Sequence, residues 1–107
     1  MNKLLGMLGL AKRAGKLSAG TFICEKTIKS GTAKLVVIAS DASENTKKTI
    51  SNSCKYYKVN VIEYSTMAEI GHVVGAKADR AVVSVNDNNF AKAISDIYDM
   101  SRKTEKG

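Results

Sequence analysis

The residues best suited to binding chemistry lie in the stretch GTFICEKTIKSG, residues 20–31. A Gly-Thr pair is typical of a helix start, and the closing glycine is typical of a position just past a helix end. Within this predicted helix, Cys24, Thr27 and Ile28 share one face by three- and four-residue spacing. Four residues lie outside that face, namely an aromatic residue, a branched aliphatic residue and two lysines: Phe22, Ile23, Lys26 and Lys29.

Such residue types suit a phosphate-rich ligand. Lysine ammonium groups attract phosphates, and a helix start offers free backbone N–H groups and the positive end of the helix dipole. A glycine at position 20 also lets a ligand backbone approach closely. Phe22 would stack on a base if its ring points outward. The alternative is that the ring packs back against Leu10 or Leu17 and leaves only Ile23 exposed.

No motif in the sequence predicts catalysis. The run GLAKRAGKLS resembles a phosphate-binding loop, but five residues separate Gly9 from Gly15 where four are needed, and Leu17 follows the lysine where Ser or Thr is needed. His72 is the only histidine, which excludes a metal site built on a histidine pair. Cys24 and His72 form a conceivable thiol pair that nothing in the sequence orients. We therefore predict a non-catalytic protein with no metal and no cofactor.

Charge is distributed unevenly along the chain. The 107 residues include 17 Lys plus Arg and 10 Asp plus Glu, for a formal net charge of +7. Residues 1–60 hold eleven basic and three acidic residues, a net +8, whereas residues 61–107 hold six and seven, a net −1. A one-sided excess of this size indicates a polyanionic partner, most commonly nucleic acid. The alternative is that the lysines only keep a small protein in solution.

The remaining bulk features indicate a small cytoplasmic domain. No apolar run approaches the roughly 20 residues that a membrane helix needs, so we expect no membrane partner. Cys24 and Cys54 lie in apolar helical patterns without metal-type spacing, which favours buried, reduced thiols over a disulfide. We expect one domain over residues 1–100, followed by a basic tail, SRKTEKG, that frays over residues 101–107.

Helical and strand patterns alternate along the chain. The continuous apolar run at 34–40 is typical of a central strand buried on both faces. Asp41 and Ser43 suit the start of a third helix, and a helix start also explains Glu44 without a catalytic carboxylate pair. The alternation predicts an α/β fold, a three-layer α/β/α sandwich with a four-stranded, mixed and mostly parallel sheet. The predicted helices are 3–13, 21–30, 43–57, 66–74 and 88 onward, and the predicted strands lie within 16–20, 34–40, 59–65 and 80–86.

Three segments should meet where strands end in such a fold: the helix start at Gly20, the loop at 39–48 and the loop at 75–80. The same regions carry a family resemblance. LGLAKRAGKLSAG, AKLVVIASDASENTKK and EIGHVVGAKADRAVVSV, in that order, resemble the ribosomal protein L7Ae superfamily, most closely its small bacterial members, over roughly residues 3–95. The three together are specific, although each alone is weak. The resemblance implies an α/β/α sandwich that binds kink-turn RNA, a sharply bent internal loop with tandem sheared G·A pairs.

The resemblance also implies where the RNA would be recognised, and the sequence departs from the family there. The family's site helix begins with Gly, carries Asn-Glu two and three residues later, and has Lys six residues after the Gly. Gly20 and Lys26 match this pattern. Phe22 and Ile23 stand where the Asn and Glu would hydrogen-bond guanine edges. The family's hydrophobic loop, which covers flipped-out bases, corresponds to residues 76–80 and is smaller and more charged in this chain.

We therefore predict RNA binding by changed means. Phe22 would stack on a base, Ile23 would pack on a sugar or base face, and lysines gathered around the amino end of the second helix would attract phosphates. The predicted RNA-contacting residues are Lys16, Gly20, Thr21, Phe22, Ile23, Lys26, Lys29, Ser43, Lys47, Ala76, Lys77 and Ala78.

The leading prediction is a monomeric, non-catalytic protein that binds structured, kink-turn-like RNA and is associated with the ribosome or translation. The alternative is a protein–protein adaptor in which Phe22 and Ile23 form an apolar anchor and RNA binding is weak or nonspecific. A fragment of an RNA-modifying enzyme is a third interpretation. It is disfavoured because 107 residues leave no room for a separate cofactor domain.

Overall fold

The elements follow the predicted order along the chain. The computed structural model describes residues 2–106, with side chains described for residues 2–102. Within those residues the fold has five helices and four strands: α1 Lys3–Arg13, β1 Leu17–Ala19, α2 Thr21–Lys29, β2 Leu35–Ile38, α3 Glu44–Tyr57, β3 Asn60–Glu63, α4 Met67–Val73, β4 Val82–Val85 and α5 Asn88–Lys106.

The four strands form one mixed sheet in the order β1-β4-β2-β3. β2 and β3 are parallel, whereas β4 runs antiparallel to both of its neighbours, with Val85 opposite Leu17 and Leu35. The mixed sheet is as predicted, but the expectation that it is mostly parallel is wrong. The reason is the short α4: residues 74–81 bring the chain back to its start, where the Arg80 N–H donates to the Met67 carbonyl at 3.1 Å. β4 therefore begins at the end of the sheet where β3 finishes.

Helices cover both faces of this sheet, which confirms the three-layer sandwich. α2 packs beside α3 on one face, and α1 packs beside α4 and α5 on the other. Every side chain of β2 and β4 is buried, as the apolar runs in these strands predict. The largest fully buried side chains come from both layers and from the sheet: Leu4, Leu8, Ile28, Leu35, Ile50, Ile70, Ile94, Val36, Val37, Val82, Val83 and Val85.

The strand directions give the sheet two different ends. At the upper end, β1, β2 and β3 finish and β4 begins; at the lower end, these three strands begin and β4 finishes. α2, α3 and α4 follow β1, β2 and β3 in the chain, so each of these helices starts at the upper end. α1 precedes β1 and therefore ends at the lower end.

Asp41 and Ser43 accept hydrogen bonds at the starts of two different helices, which the sequence did not reveal. Ser43 caps α3 as predicted, because its Oγ accepts a hydrogen bond from the Thr46 N–H at 3.1 Å. Asp41 does not cap α3. Its Oδ1 accepts from the Met67 N–H at 2.8 Å and so holds the β2–α3 loop against the start of α4.

The last helix runs into the segment expected to be a tail. α5 continues to Lys106, and the Arg102 guanidinium lies 5.5 Å from the centre of the Tyr98 ring one turn earlier. The domain boundary at residue 100 stays a prediction, and Gly107 lies outside the described residues. Across residues 2–106, no helix combines the length and the apolar character that crossing a membrane requires.

Candidate nucleic-acid interface

The interface is built around the start of α2. Gly20 adopts φ 119° and ψ 145°, which turns the chain from β1 into the helix. A Cβ added there would meet nothing closer than Ile23 Cγ2 at 3.8 Å, so the conformation and not the available space requires glycine. The Gly20 N–H donates to the Val82 carbonyl at 2.9 Å. The helix start is thereby fixed to the first residue of β4.

The first turn of α2 has no side-chain cap. The first intrahelical donor is the Cys24 N–H, which bonds the Gly20 carbonyl at 3.0 Å, and none of the described side chains accepts from the preceding N–H groups of residues 21–23. The other four helices each have an accepting side chain: Asn2, Ser43, Thr66 and Asp87. Since unpaired N–H groups and the dipole make a helix start attractive to anions, this turn is suited to a phosphate.

Phe22 points away from the protein. Its side chain is 73% exposed, so the alternative in which the ring packs back against Leu10 or Leu17 is wrong. The Lys26 Nζ lies 4.6 Å from the centre of the ring, one turn further along α2. Ile23, beside it, is 40% exposed. An accessible aromatic face next to an ammonium group is suited to a nucleotide, because the ring can stack on the base and the ammonium group can neutralise the phosphate.

A shallow groove of about 490 Å³, here called the α2 groove, runs along this helix start. Its opposite wall comes from the start of α4 and from the loop that leads into β4. The residues that line the groove are Ala19, Gly20, Thr21, Phe22, Ile23, Met67, Asp79, Arg80 and Ala81.

Close packing holds the opposite wall in place. A Cβ added at Gly71 of α4 would lie 2.6 Å from the Ala78 carbonyl oxygen, which leaves room for glycine alone. Arg80 Nη1 donates to the Asp79 carbonyl at 3.1 Å, so the guanidinium stays beside its own loop. Packing therefore requires glycine at position 71, whereas Gly75, at φ 72° with open space around it, is required by its conformation.

Eight of the twelve predicted site residues lie in two segments, the start of α2 and the loop before β4. Gly20, Thr21, Phe22 and Ile23 line the α2 groove together, and Lys26 stands over the Phe22 ring. In the loop before β4, Lys77 and Ala78 are exposed, whereas Ala76 is half-buried and packs against the core. The loop contributes residues 79–81 to the groove rather than 76–78.

Two further predicted residues are engaged in local structure. Lys47 Nζ lies 3.7 Å from a Glu44 carboxylate oxygen and 3.5 Å from one of Glu63, and its side chain is only 22% exposed. Its charge is therefore compensated within the protein, which weakens its case as a phosphate ligand. The Ser43 hydroxyl is occupied by the α3 cap described above.

Lys16 and Lys29 lie far from the start of α2. Lys16 precedes β1 and Gly20 follows it, a separation of about 13 Å along an extended chain. Lys29 is the last residue of α2, also about 13 Å from Gly20 at the helical rise. The expectation that the lysines gather around the amino end of α2 is therefore wrong, because they are divided between the two ends of the sheet. Their contact with RNA stays a prediction.

Sequence reasoning missed part of the groove. Ala19, Met67 and Ala81 line it without having been predicted, and Asp79 and Arg80 were considered only as part of the loop at 75–80. One signal was present in the sequence: each of these residues is close in the chain to a strand or helix terminus at the upper end of the sheet, where the predicted helix start also lies. Asp79 contributes the one carboxylate among the lining residues.

The cysteines belong to the core and not to a reactive site. Cys24 and Cys54 are free and fully buried, and burial raises the pKa of each thiol from 9.0 to about 11. The Cys24 Sγ donates to the Ser18 carbonyl at 3.5 Å. His72 is exposed on α4, in the helical layer across the sheet from α2, so the two groups are not paired. Within the described residues, no three His, Cys, Asp or Glu side chains are grouped to hold a metal ion.

Two curated proteins are similar in sequence to most of this chain. The chain is 39% identical over 97 residues to the RNA-binding protein YlxQ of Enterococcus faecium, covering 91% of this chain and 92% of that protein. It is 40% identical over 93 residues to RNA-binding protein YlxQ of Bacillus subtilis (strain 168), covering 87% and 92%.

Solved structures resemble the fold. A protein of unknown function from Bacillus halodurans C matches with a TM-score of 0.88 and 31% identity, over 92% of this chain and 99% of that one. The 15.5kD RNA binding protein of Giardia lamblia shares the fold with a TM-score of 0.76 at 18% identity, over 88% and 80%. The model of the ribosomal protein L7Ae/L30e/S12e/Gadd45 family matches residues 2–95, and the chain belongs to that family.

Proposed function

We propose that this protein is a non-catalytic RNA-binding protein that uses the α2 groove to hold a sharply bent, kink-turn-like RNA. It would act as a cytoplasmic monomer associated with the ribosome or with translation. The observation that carries the proposal is the uncapped start of α2 beside the exposed Phe22 ring and the Lys26 ammonium group. The names of the YlxQ relatives as RNA-binding proteins support the choice of ligand.

Each part of the groove has a distinct role in this proposal. The N–H groups of residues 21–23 would bind a phosphate at the bend, where two strands crowd their charges together. Phe22 would stack on a base that the bend has unstacked, and Lys26 would neutralise the neighbouring phosphate. The Asp79 carboxylate would accept hydrogen bonds from a base amino or imino group, a role that Ile23 cannot perform.

Binding measurements with two RNAs test the proposal. A kink-turn RNA and a plain duplex of the same length are titrated with the protein and followed by fluorescence anisotropy. We expect tighter binding of the kink-turn, and a loss of about fivefold or more with Phe22→Ala, because base–aromatic stacking contributes roughly 1–3 kcal/mol. Leu10→Ala is the matched control, since Leu10 is an exposed apolar residue on α1. Equal binding of the two RNAs, or equal effects of the two substitutions, would refute the proposal.

A protein–protein adaptor is the second candidate, favoured by the exposed apolar pair Phe22 and Ile23. An exposed aromatic residue beside a branched aliphatic one is a common anchor for a protein partner. The same titrations distinguish the candidates. If neither RNA binds at low salt, the adaptor function is preferred.

A further inference from the structure

The lower end of the sheet carries a second concentration of positive charge. Lys16 and Lys34 immediately precede β1 and β2, which are separated only by β4, so their Cα atoms lie about 10 Å apart. α2 and α3 pack side by side and both finish at this end. Together these elements present five exposed lysines, here called the basic cluster: Lys16, Lys29, Lys34, Lys55 and Lys58.

Backbone hydrogen bonds fix the base of the basic cluster. The Lys16 carbonyl accepts from the Asn86 N–H at 2.8 Å, and the Lys34 N–H donates to the Val85 carbonyl at 2.8 Å. β2 pairs with β3 so that Leu35 lies opposite Asn60. Lys58, two residues before Asn60, therefore lies close to Lys34. The backbone positions of Lys16 and Lys34 are therefore fixed by the register of the sheet.

The charge of the basic cluster is not neutralised by the described side chains. Within residues 2–102, none of its five lysines forms an ion pair within 4.0 Å. Glu25 lies one turn before Lys29 in α2 without forming an ion pair with it, and Asp87 Oδ2 accepts from the Phe90 N–H at 3.0 Å. The ends of α2 and α3 contribute only about −0.5 charge each, which leaves a large positive excess. A lysine at the end of a helix can be explained by its favourable interaction with the helix dipole. This explanation does not apply to Lys16 and Lys34, because they precede strands.

Two exposed tyrosines lie in the chain between Lys55 and Lys58 of the basic cluster. α3 ends with Lys55, Tyr56 and Tyr57, and Lys58 follows as its C-cap. Tyr56 is 78% exposed and Tyr57 is 41% exposed. Their rings meet edge to face with centroids 4.8 Å apart. An aromatic pair held out in solvent between two lysines offers base-stacking faces next to phosphate-binding cations.

We propose that the basic cluster and Tyr56 form a second RNA-binding surface, specific for unpaired nucleotides. Phosphates would lie along Lys34, Lys55 and Lys58, and a base would stack on the Tyr56 ring. The surface is at the opposite end of the sheet from the α2 groove, so the protein would hold two RNA segments at once. A single-stranded segment is favoured over a duplex because only unpaired bases expose a face to an aromatic ring.

A short oligouridine of about 12 nucleotides is the probe, a length within the range that single-strand binders occupy. One variant combines Lys34→Gln, Lys55→Gln and Lys58→Gln. Its matched control combines Lys3→Gln, Lys48→Gln and Lys92→Gln, exposed lysines outside the basic cluster. Thermal melting followed by circular dichroism verifies that both variants are folded before binding is measured.

The cluster variant should bind about tenfold or more weakly than the control, and its plot of log affinity against log salt should be shallower by about 2. Tyr56→Ala should lose about fivefold or more, and Tyr56→Phe should retain binding because it keeps the ring. Equal affinities of the cluster variant and the control would overturn the proposal. So would a wild-type protein that prefers a plain duplex to the oligouridine, with no dependence on Tyr56. The kink-turn titrations use other RNAs and other variants, so either proposal can fail while the other stands.

Discussion

The start of α2 illustrates how single residues set the chemistry of the interface. Phe22 and Ile23 carry no hydrogen-bonding side chain, so they offer no means of reading the edge of a base. The folded chain supplies a carboxylate from elsewhere: Asp79 lines the same groove from the loop before β4. The sequence predicted that the loop at 75–80 meets the helix start, but not that Asp79 is the loop residue that lines the groove, because this depends on the short α4 and the tight loop that follows it.

Replacing Asp79 should have opposite effects on two RNAs. Asp79→Asn is nearly isosteric but removes the negative charge and half of the acceptor capacity. We expect kink-turn affinity to fall by about 1–3 kcal/mol, since a base-reading contact is lost. Affinity for a plain duplex should rise slightly, because a repulsive charge near the phosphates is gone. Anisotropy titrations of both RNAs measure the two changes, and a rise for both would contradict a base-reading role.

The buried thiols make stability depend on alkaline pH. Cys24 and Cys54 have pKa values raised from 9.0 to about 11 by burial, so the unfolded chain ionises first as pH rises. Between these values the unfolded state binds fewer protons than the folded state, and stability falls with pH. A shift of two units corresponds to about 2–3 kcal/mol per thiol by pH 11. Urea unfolding at pH 8 and 10.5 should show a smaller loss in Cys54→Ala than in the wild type; an identical loss would contradict this account.

The helices and strands were predictable because each carries its own local signal. The apolar period of α1, the continuous apolar runs of β2 and β4 and the cap at Ser43 all have the locations that these signals indicate. The direction of β4 was not predictable, because it depends on where a seven-residue helix and its loop return the chain. The capping role of Asp41 for α4 was missed for a similar reason, since its partner is 26 residues away.

The contact between α4 and its following loop can be tested with one methyl group. In Gly71→Ala, the new Cβ would lie 2.6 Å from the Ala78 carbonyl oxygen, so the loop that forms one wall of the α2 groove must move. We expect a loss of about 1–3 kcal/mol in the free energy of unfolding, together with weaker kink-turn binding. The control is Gly6→Ala on α1, where a Cβ meets nothing within 4 Å and helix propensity should add up to about 1 kcal/mol. A neutral Gly71→Ala would show that the loop accommodates the change freely.

At the scale of the whole molecule, charge is divided between two surfaces. The sequence revealed the excess of lysine in residues 1–60 but not its location, because neighbours along the chain lie at opposite ends of the sheet. Lys16 and Gly20 flank the two ends of β1, and Thr21 and Lys29 are the first and last residues of α2. The α2 groove consequently has few cations, and in the proposed function it would bind RNA through its N–H groups and the Phe22 ring, whereas the basic cluster would bind RNA through its lysines and Tyr56.

The most direct test is an NMR titration of the ¹⁵N-labelled protein with kink-turn RNA, following the backbone amide of each residue. The account predicts that the largest shifts occur at residues 20–23 and 79–81, because the RNA phosphate would bond the free N–H groups of the α2 start and a base would enter the groove beside Asp79. Shifts confined to the lower end of the sheet, with the amides of residues 20–23 unchanged, would contradict it.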